Sequence, residues 1–121
     1  MKIPFSPPFI TDQVFKHVQE VLESGWITTG PKSRALEEEF TAYTGGQASI
    51  AVNSWSSGAI LALKWLGVQP GDEVIIPAYT YAATALSVLH AGATPVMCDS
   101  GDDFCIDPKK IGALITKRTK A

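Results

Sequence analysis

The sequence predicts an α/β fold: a mostly parallel sheet with flanking helices. Two observations carry that expectation. Short runs rich in β-branched residues, SIAV at 49–52, EVIIP at 73–77 and TPVMCD at 94–99, alternate with longer segments of helical apolar spacing. Strands separated by helices pair in parallel. Turn-forming residues mark the junctions, notably NSWSSG at 53–58 and GVQPGDE at 67–73, and the ends of such strands are where α/β proteins hold ligands.

Each element follows in order. From Thr11 to Ser24 the apolar residues Val14, Phe15, Val18, Val21 and Leu22 recur at helical spacing, Thr11 or Asp12 can cap the start, and Gly25 stops the helix. A loop runs through Pro31. The second helix is expected from Ser33 to Thr44, with Ala35, Leu36, Phe40 and Tyr43 on one side, Glu37 to Glu39 outside and Gly45–Gly46 at the end. SIAV reads as a buried strand, and a helix over Ser56–Leu66 follows. Pro70 and Gly71 set the bend before EVIIP. A helix over Ala82–His90, ended by Gly92, leads to the strand at 94–99, and Asp107 caps a last helix with Pro108 at its first position. Two successive strand–helix–strand units predict right-handed parallel crossovers. The final TKRTKA shows no cap or domain-ending pattern.

Composition narrows the function classes. The 121 residues are 45% hydrophobic with formal charge -2, which suits a soluble globular protein and gives no electrostatic ground for nucleic-acid binding. No apolar run approaches the roughly 20 residues of a membrane helix, and MKIPFSPPF has prolines where a signal peptide would be uninterrupted. A cytoplasmic protein without membrane or nucleic-acid partners is the expectation. Cys98 and Cys105 lack CxxC spacing, so free thiols and no metal site are expected. His17 and His90 lie inside helical patterns, where a surface or core role outweighs acid–base work. Glu37 to Glu39 fan around their helix and read as a solvated face.

Three patches carry chemistry. After Asn53, the residues Ser54, Trp55, Ser56 and Ser57 open a helix, aiming unpartnered amides and hydroxyls at one point that favours an anion. The plainer alternative is that Ser54 or Ser56 is an N-cap. In PAYTYAAT at 77–84, Pro77 closes a strand and Tyr79, Thr80 and Tyr81 occupy the turn, where a ring can lie on a planar ligand or pack in the core. A phosphate seat after one strand and a stacking ring after another describe the two ends of a phosphorylated aromatic cofactor. In SGWITTGP at 24–31, Thr28 and Thr29 offer hydroxyls suited to a sugar, Gly30 and Pro31 hold the turn, and Trp26 reads either as part of that surface or as a hydrophobic plug.

Through SGWITTGP, ALEEEF, AVNSWSSGAILAL, PGDEVIIPAYTYAAT, GATPVMCD and DPKKI, in order and spacing, the whole chain resembles the DegT/DnrJ/EryC1/StrS family of pyridoxal-phosphate-dependent sugar aminotransferases. The resemblance implies the amino-terminal part of a fold-type I large domain, with an arm and helices over about 1–48 and the start of the cofactor-binding domain over about 49–121. It implies pyridoxal 5'-phosphate as cofactor, Ser56 and Ser57 at its phosphate, Tyr81 on its ring, and Thr28, Thr29 and Gly30 near the substrate. Trp55 stands where relatives often carry a smaller residue. The implied reaction moves an amino group from glutamate to a nucleotide-linked keto sugar in a homodimer. The lysine that joins the cofactor is expected beyond Ala121, since Lys64, Lys109, Lys110, Lys117 and Lys120 match no such motif, and Asp99 is too early to be the pyridine partner. On that ground the 121-residue polypeptide alone is expected to be inactive. The alternatives are a pyridoxamine-phosphate-dependent sugar dehydratase, a noncatalytic sugar- or phosphate-binding module, and a structural fragment that binds no ligand.

Overall fold

The structure is a computed structural model that describes residues 3–121. It divides into two compact units, Met1–Ala51 and Val52–Ala121.

The first unit holds helices α1 (Asp12–Ser24) and α2 (Pro31–Thr44). Gly25 ends α1 with φ 69°, a left-handed cap whose N–H donates to Leu22 O at 3.2 Å. That conformation disfavours any side chain with a Cβ. Helix α2 starts two residues before the expected Ser33, because Pro31 has its φ preset for a first turn and lacks the N–H that would go unpaired there.

Residues 49–52 form no strand, contrary to the sequence reading. The Ala51 N–H donates to Glu37 Oε1 at 2.8 Å, Thr41 Oγ1 donates to Ser49 Oγ at 2.8 Å, and Ile50 is exposed. The segment is fastened to α2 by side chains, which takes up a donor that a sheet ladder would need. Glu37 is therefore half-buried and bonded rather than part of a purely solvated face. With this strand absent, the described residues hold one strand–helix–strand unit where two were expected.

That unit lies in Val52–Ala121. Helix α3 (Trp55–Trp65) leads through a turn to β1 (Glu73–Pro77), then α4 (Ala83–His90) and β2 (Thr94–Cys98). The strands pair in parallel from Glu73↔Thr94 to Pro77↔Cys98. β2 carries Pro95 and borders only β1 among the described residues, a position that tolerates a missing N–H. The expected last helix is shorter: α5 (Pro108–Ile111), capped by the Asp107 side chain accepting from Lys109 N at 3.0 Å, tightens at Gly112 into a 3₁₀ turn, Gly112–Leu114. The core gathers Val68, Val74, Ile76, Val88, Ala91 and Ala93, with α4 lying on both strands and against α3.

The final residues join the sheet. Glu73 N donates to Arg118 O and Lys120 N to Glu73 O, each at 2.8 Å, and Ile75 N donates to Ala121 O at 2.9 Å. Residues 118–121 thus begin a further parallel pairing on the edge of β1 away from β2. The buried Glu73 carboxylate secures them, accepting from Thr116 Oγ1 at 2.6 Å and from the Arg118 guanidinium. Sequence reading missed this docking because its partners stand more than 40 residues apart. Replacing Glu73 with Ala should lower stability by about 1.5–3 kcal/mol, the range for hydrogen bonds to a charged group. Urea unfolding measures it, and faster amide exchange at Lys120 should accompany the loss. A variant as stable as the parent would mean the carboxylate does not hold the segment.

Candidate functional site

The residues around 54–57 form the start of α3. Ser54 is extended and its Oγ accepts from Ser57 N at 3.1 Å, which makes it the N-cap. Its hydroxyl also donates to Ser57 Oγ at 3.0 Å. Trp55, Ser56 and Ser57 are then the first three helical residues, and the amides of Trp55 and Ser56 have no intrahelical carbonyl to receive them. Ser56 and Ser57 are half-buried, whereas Trp55 is exposed. The capping alternative is thus realised by Ser54, leaving Ser56 and Ser57 on the helix end itself. A Cβ on Gly58 would stand 3.3 Å from Val52 Cγ2, so the Val52 side chain approaches closely at this glycine.

Tyr81 lies in the turn between β1 and α4 with its ring exposed, so it is not a core residue. The turn is held at both ends: Ala78 N donates to Cys98 O at 2.7 Å and Thr84 N to Tyr81 O at 3.0 Å. The Thr80 and Thr84 hydroxyls are 2.8 Å apart. Residues Leu66–Asp72 join the carboxyl end of α3 to the amino end of β1, and Tyr81 follows the carboxyl end of β1. Ser56 and Ser57 therefore stand at the amino end of α3, and Tyr81 just beyond the carboxyl end of β1, the next element in the chain.

Two outward amides, two hydroxyls and the partial positive charge of a helix start suit a phosphate dianion without a lysine. Lys64 occupies the last turn of α3, at the opposite end from Ser56. Lys110 pairs with Asp99 at 3.5 Å and reaches Asp107 at 4.0 Å. Cys98 is buried and Cys105 exposed, both as free thiols, and no metal-holding cluster occurs among the described residues.

The loop at 24–31, in the other unit, is braced from within. Ser24 Oγ donates to Val21 O at 2.7 Å and accepts from Trp26 N at 3.1 Å. Trp26 Nε1 donates to Thr29 O at 2.9 Å, folding the indole over Gly30. A Cβ on the buried Gly30 would fall 2.6 Å from Cδ1 and Nε1 of that ring. Trp26 is thus a half-exposed brace for the loop rather than a core plug. Thr28 and Gly30 help line a cavity of about 270 Å³ with Glu20, Ser24 and Lys32. Thr29 contributes its carbonyl to Trp26.

Sequence reading missed the charges on this cavity. Lys32 Nζ donates to Glu20 Oε2 at 2.6 Å and lies 3.0 Å from His17 Nδ1, which is itself 3.3 Å from the same carboxylate oxygen. Only the His17–Glu20 spacing of three was visible beforehand. The hydrogen bond from Lys32, then that with His17, holds the Glu20 carboxyl below its ordinary pKa.

Residues 8–121 match the model of the DegT/DnrJ/EryC1/StrS aminotransferase family. The chain belongs to that family. It is 45% identical over 120 residues to the spore coat polysaccharide biosynthesis protein SpsC of Bacillus subtilis (strain 168), a match covering 98% of this chain and 31% of SpsC. Among solved structures, Spr1654 from Streptococcus pneumoniae, named as a sugar aminotransferase, is similar in its PLP form with TM-score 0.91 and 45% identity, over 98% of this chain and 31% of that one. Its PMP form gives the same TM-score. An aminotransferase from Psychrobacter cryohalolentis aligns with TM-score 0.87 and 35% identity, over 96% of this chain and 30% of that one. The chain thus spans under a third of the length of these DegT/DnrJ/EryC1/StrS relatives, and its parallel sheet with flanking helices is part of their fold.

Two outcomes test the loop. Gly30→Ala should displace the indole and cost about 1–3 kcal/mol by overpacking, read by thermal unfolding and a shift of tryptophan emission. Pairing it with Trp26→Ala should recover part of that loss. For Glu20, the lowered pKa means its contribution is complete above the ordinary carboxylate range and fades as pH falls through the lowered value. An NMR titration should find the Glu20 midpoint moving up in Lys32→Gln, and an unmoved midpoint would contradict the assigned cause.

Proposed function

We propose that this chain forms the phosphate- and ring-binding part of an enzyme that uses pyridoxal 5'-phosphate to move an amino group from glutamate to a nucleotide-linked keto sugar. The observation carrying this reading is the start of α3, where outward amides and the Ser56 and Ser57 hydroxyls offer a dianion its partners. Membership of the aminotransferase family supports it, as do the PLP and PMP forms of Spr1654 and the polysaccharide role in the name of SpsC.

In this reading the helix start and the two serines hold the phosphate, and the exposed Tyr81 ring lies on the heterocycle, fixing its tilt. When bound, the cofactor supplies an electron-accepting pyridine ring to the carbon that bears the migrating amine. Thr28, Thr29 and Gly30 serve the sugar, with Trp26 keeping that loop in shape. The amine that joins the cofactor comes from a lysine outside residues 1–121. The enzyme works in the cytoplasm as a homodimer.

Ser56→Asp separates folding from binding. A carboxylate in the first turn favours the helix yet repels a phosphate, so thermal stability should hold while affinity for pyridoxal phosphate in the full-length protein drops by at least about tenfold. Tyr81→Ala should weaken binding by about two- to tenfold and Tyr81→Phe hardly at all, since a ring stack is worth roughly 0.5–1.5 kcal/mol. Absorbance titration measures both, and unchanged affinity in Ser56→Asp would defeat the reading. The isolated 121-residue polypeptide should form no amino sugar from glutamate, and detectable protein-dependent product would overturn that expectation.

A further inference from the structure

Phe104 has no part in the site as described, yet its conformation and its neighbour are both unusual. It has φ 63°, in the left-handed region, which a bulky side chain rarely enters unless its surroundings impose it. Its surroundings do so through a closed turn. Ser100 and Ile106 pair antiparallel, Gly101 N donates to Cys105 O at 2.9 Å, Phe104 N donates to Gly101 O at 3.1 Å, and Asp103 Oδ1 accepts from Cys105 N at 3.0 Å. The ring so presented does not enter the core. It stays largely exposed and meets Tyr79, with centroids 5.6 Å apart and planes tilted by 49°.

Tyr79 stands two residues before Tyr81 in the turn after β1, and Phe104 lies in the turn after β2. The parallel register brings Pro77 opposite Cys98, so the two turns leave the sheet side by side. Each is tied down at its base, by Ala78 N to Cys98 O and by Asp107 N to Asp99 O at 3.1 Å. Between those ties and α4, the Tyr79–Phe104 ring contact is a side-chain link from one turn to the other. A glycine at 104 would suit the backbone better, so what the phenylalanine adds is the ring.

We propose that Phe104 is a positioning residue: its ring holds Tyr79, and through Tyr79 the turn that presents Tyr81 to the cofactor. This rests on the functional reading above for what Tyr81 touches, while the link between the turns stands on the geometry alone. Phe104 touches no reacting atom.

Phe104→Gly separates the ring from the backbone, because glycine favours positive φ and should leave the turn folded. In the full-length protein its Tm should match or exceed that of the parent. Amide exchange at Thr84, which donates to Tyr81 O, should quicken by about threefold or more in the free protein. Affinity for pyridoxal phosphate, read by absorbance titration, should fall by about two- to tenfold, the range for one lost aromatic pair. Phe104→Tyr should restore both. Unchanged exchange together with unchanged affinity in Phe104→Gly would overturn the proposal, as would equal losses in Phe104→Tyr. A parent protein that failed to bind pyridoxal phosphate would sink the functional reading instead, and the exchange data would then decide the ring contact without it.

Discussion

Strand β1 is the constraint on which the second unit depends. It is hydrogen-bonded to β2 on one side and to residues 118–121 on the other, and it carries Val74 and Ile76 into the core. At its start sits a buried carboxylate that has bonding capacity to spare, and Thr116 and Arg118 fill it. Removing one partner of a buried charged group costs more than the pair contributes, because the remaining charge stays out of water. The hydrogen bonds that Glu73 accepts from Thr116 and Arg118 therefore both select one position for the terminal segment and stabilise it there.

The opposite end of β1 leads into the candidate site. Pro77 opposes Cys98 as the last pair of the ladder, and from there the chain enters a turn whose aromatic rings face solvent. Helix α3 leaves its first amides uncommitted for the same general reason: the end of a regular element is where backbone groups lack internal partners. A ligand can take those groups without breaking anything. Ser54 closes one donor and leaves the neighbouring ones available, which makes capping and anion binding compatible within a single turn.

The 24–31 loop solves a different problem. Two threonines and a glycine have little intrinsic order, and an open loop would pay in entropy for being fixed by any ligand. Trp26 removes much of that cost in advance by bonding Thr29 O and lying on Gly30. Glycine is required there by contact distance and not by backbone angle, since its φ of -157° is open to any residue.

Local signals in the sequence determined most of the elements: the apolar spacing of α1, the glycine caps, Pro31 and Pro108 at helix starts, and the β-branched runs of β1 and β2. They also determined the candidate groups, because Ser56, Ser57, Tyr81 and the threonines announce themselves by type and by neighbouring turn residues. Tertiary structure alone decided the rest. SIAV has strand composition, but a strand exists only where a ladder accepts it, and Glu37 took the Ala51 amide instead. The docking of 118–121, the Lys32–Glu20 pair and the meeting of Phe104 with Tyr79 likewise join residues in different segments of the chain. Propensity acts over a few neighbouring residues, whereas hydrogen-bond partners, ion pairs and ring contacts between distant segments are fixed only when the chain has folded.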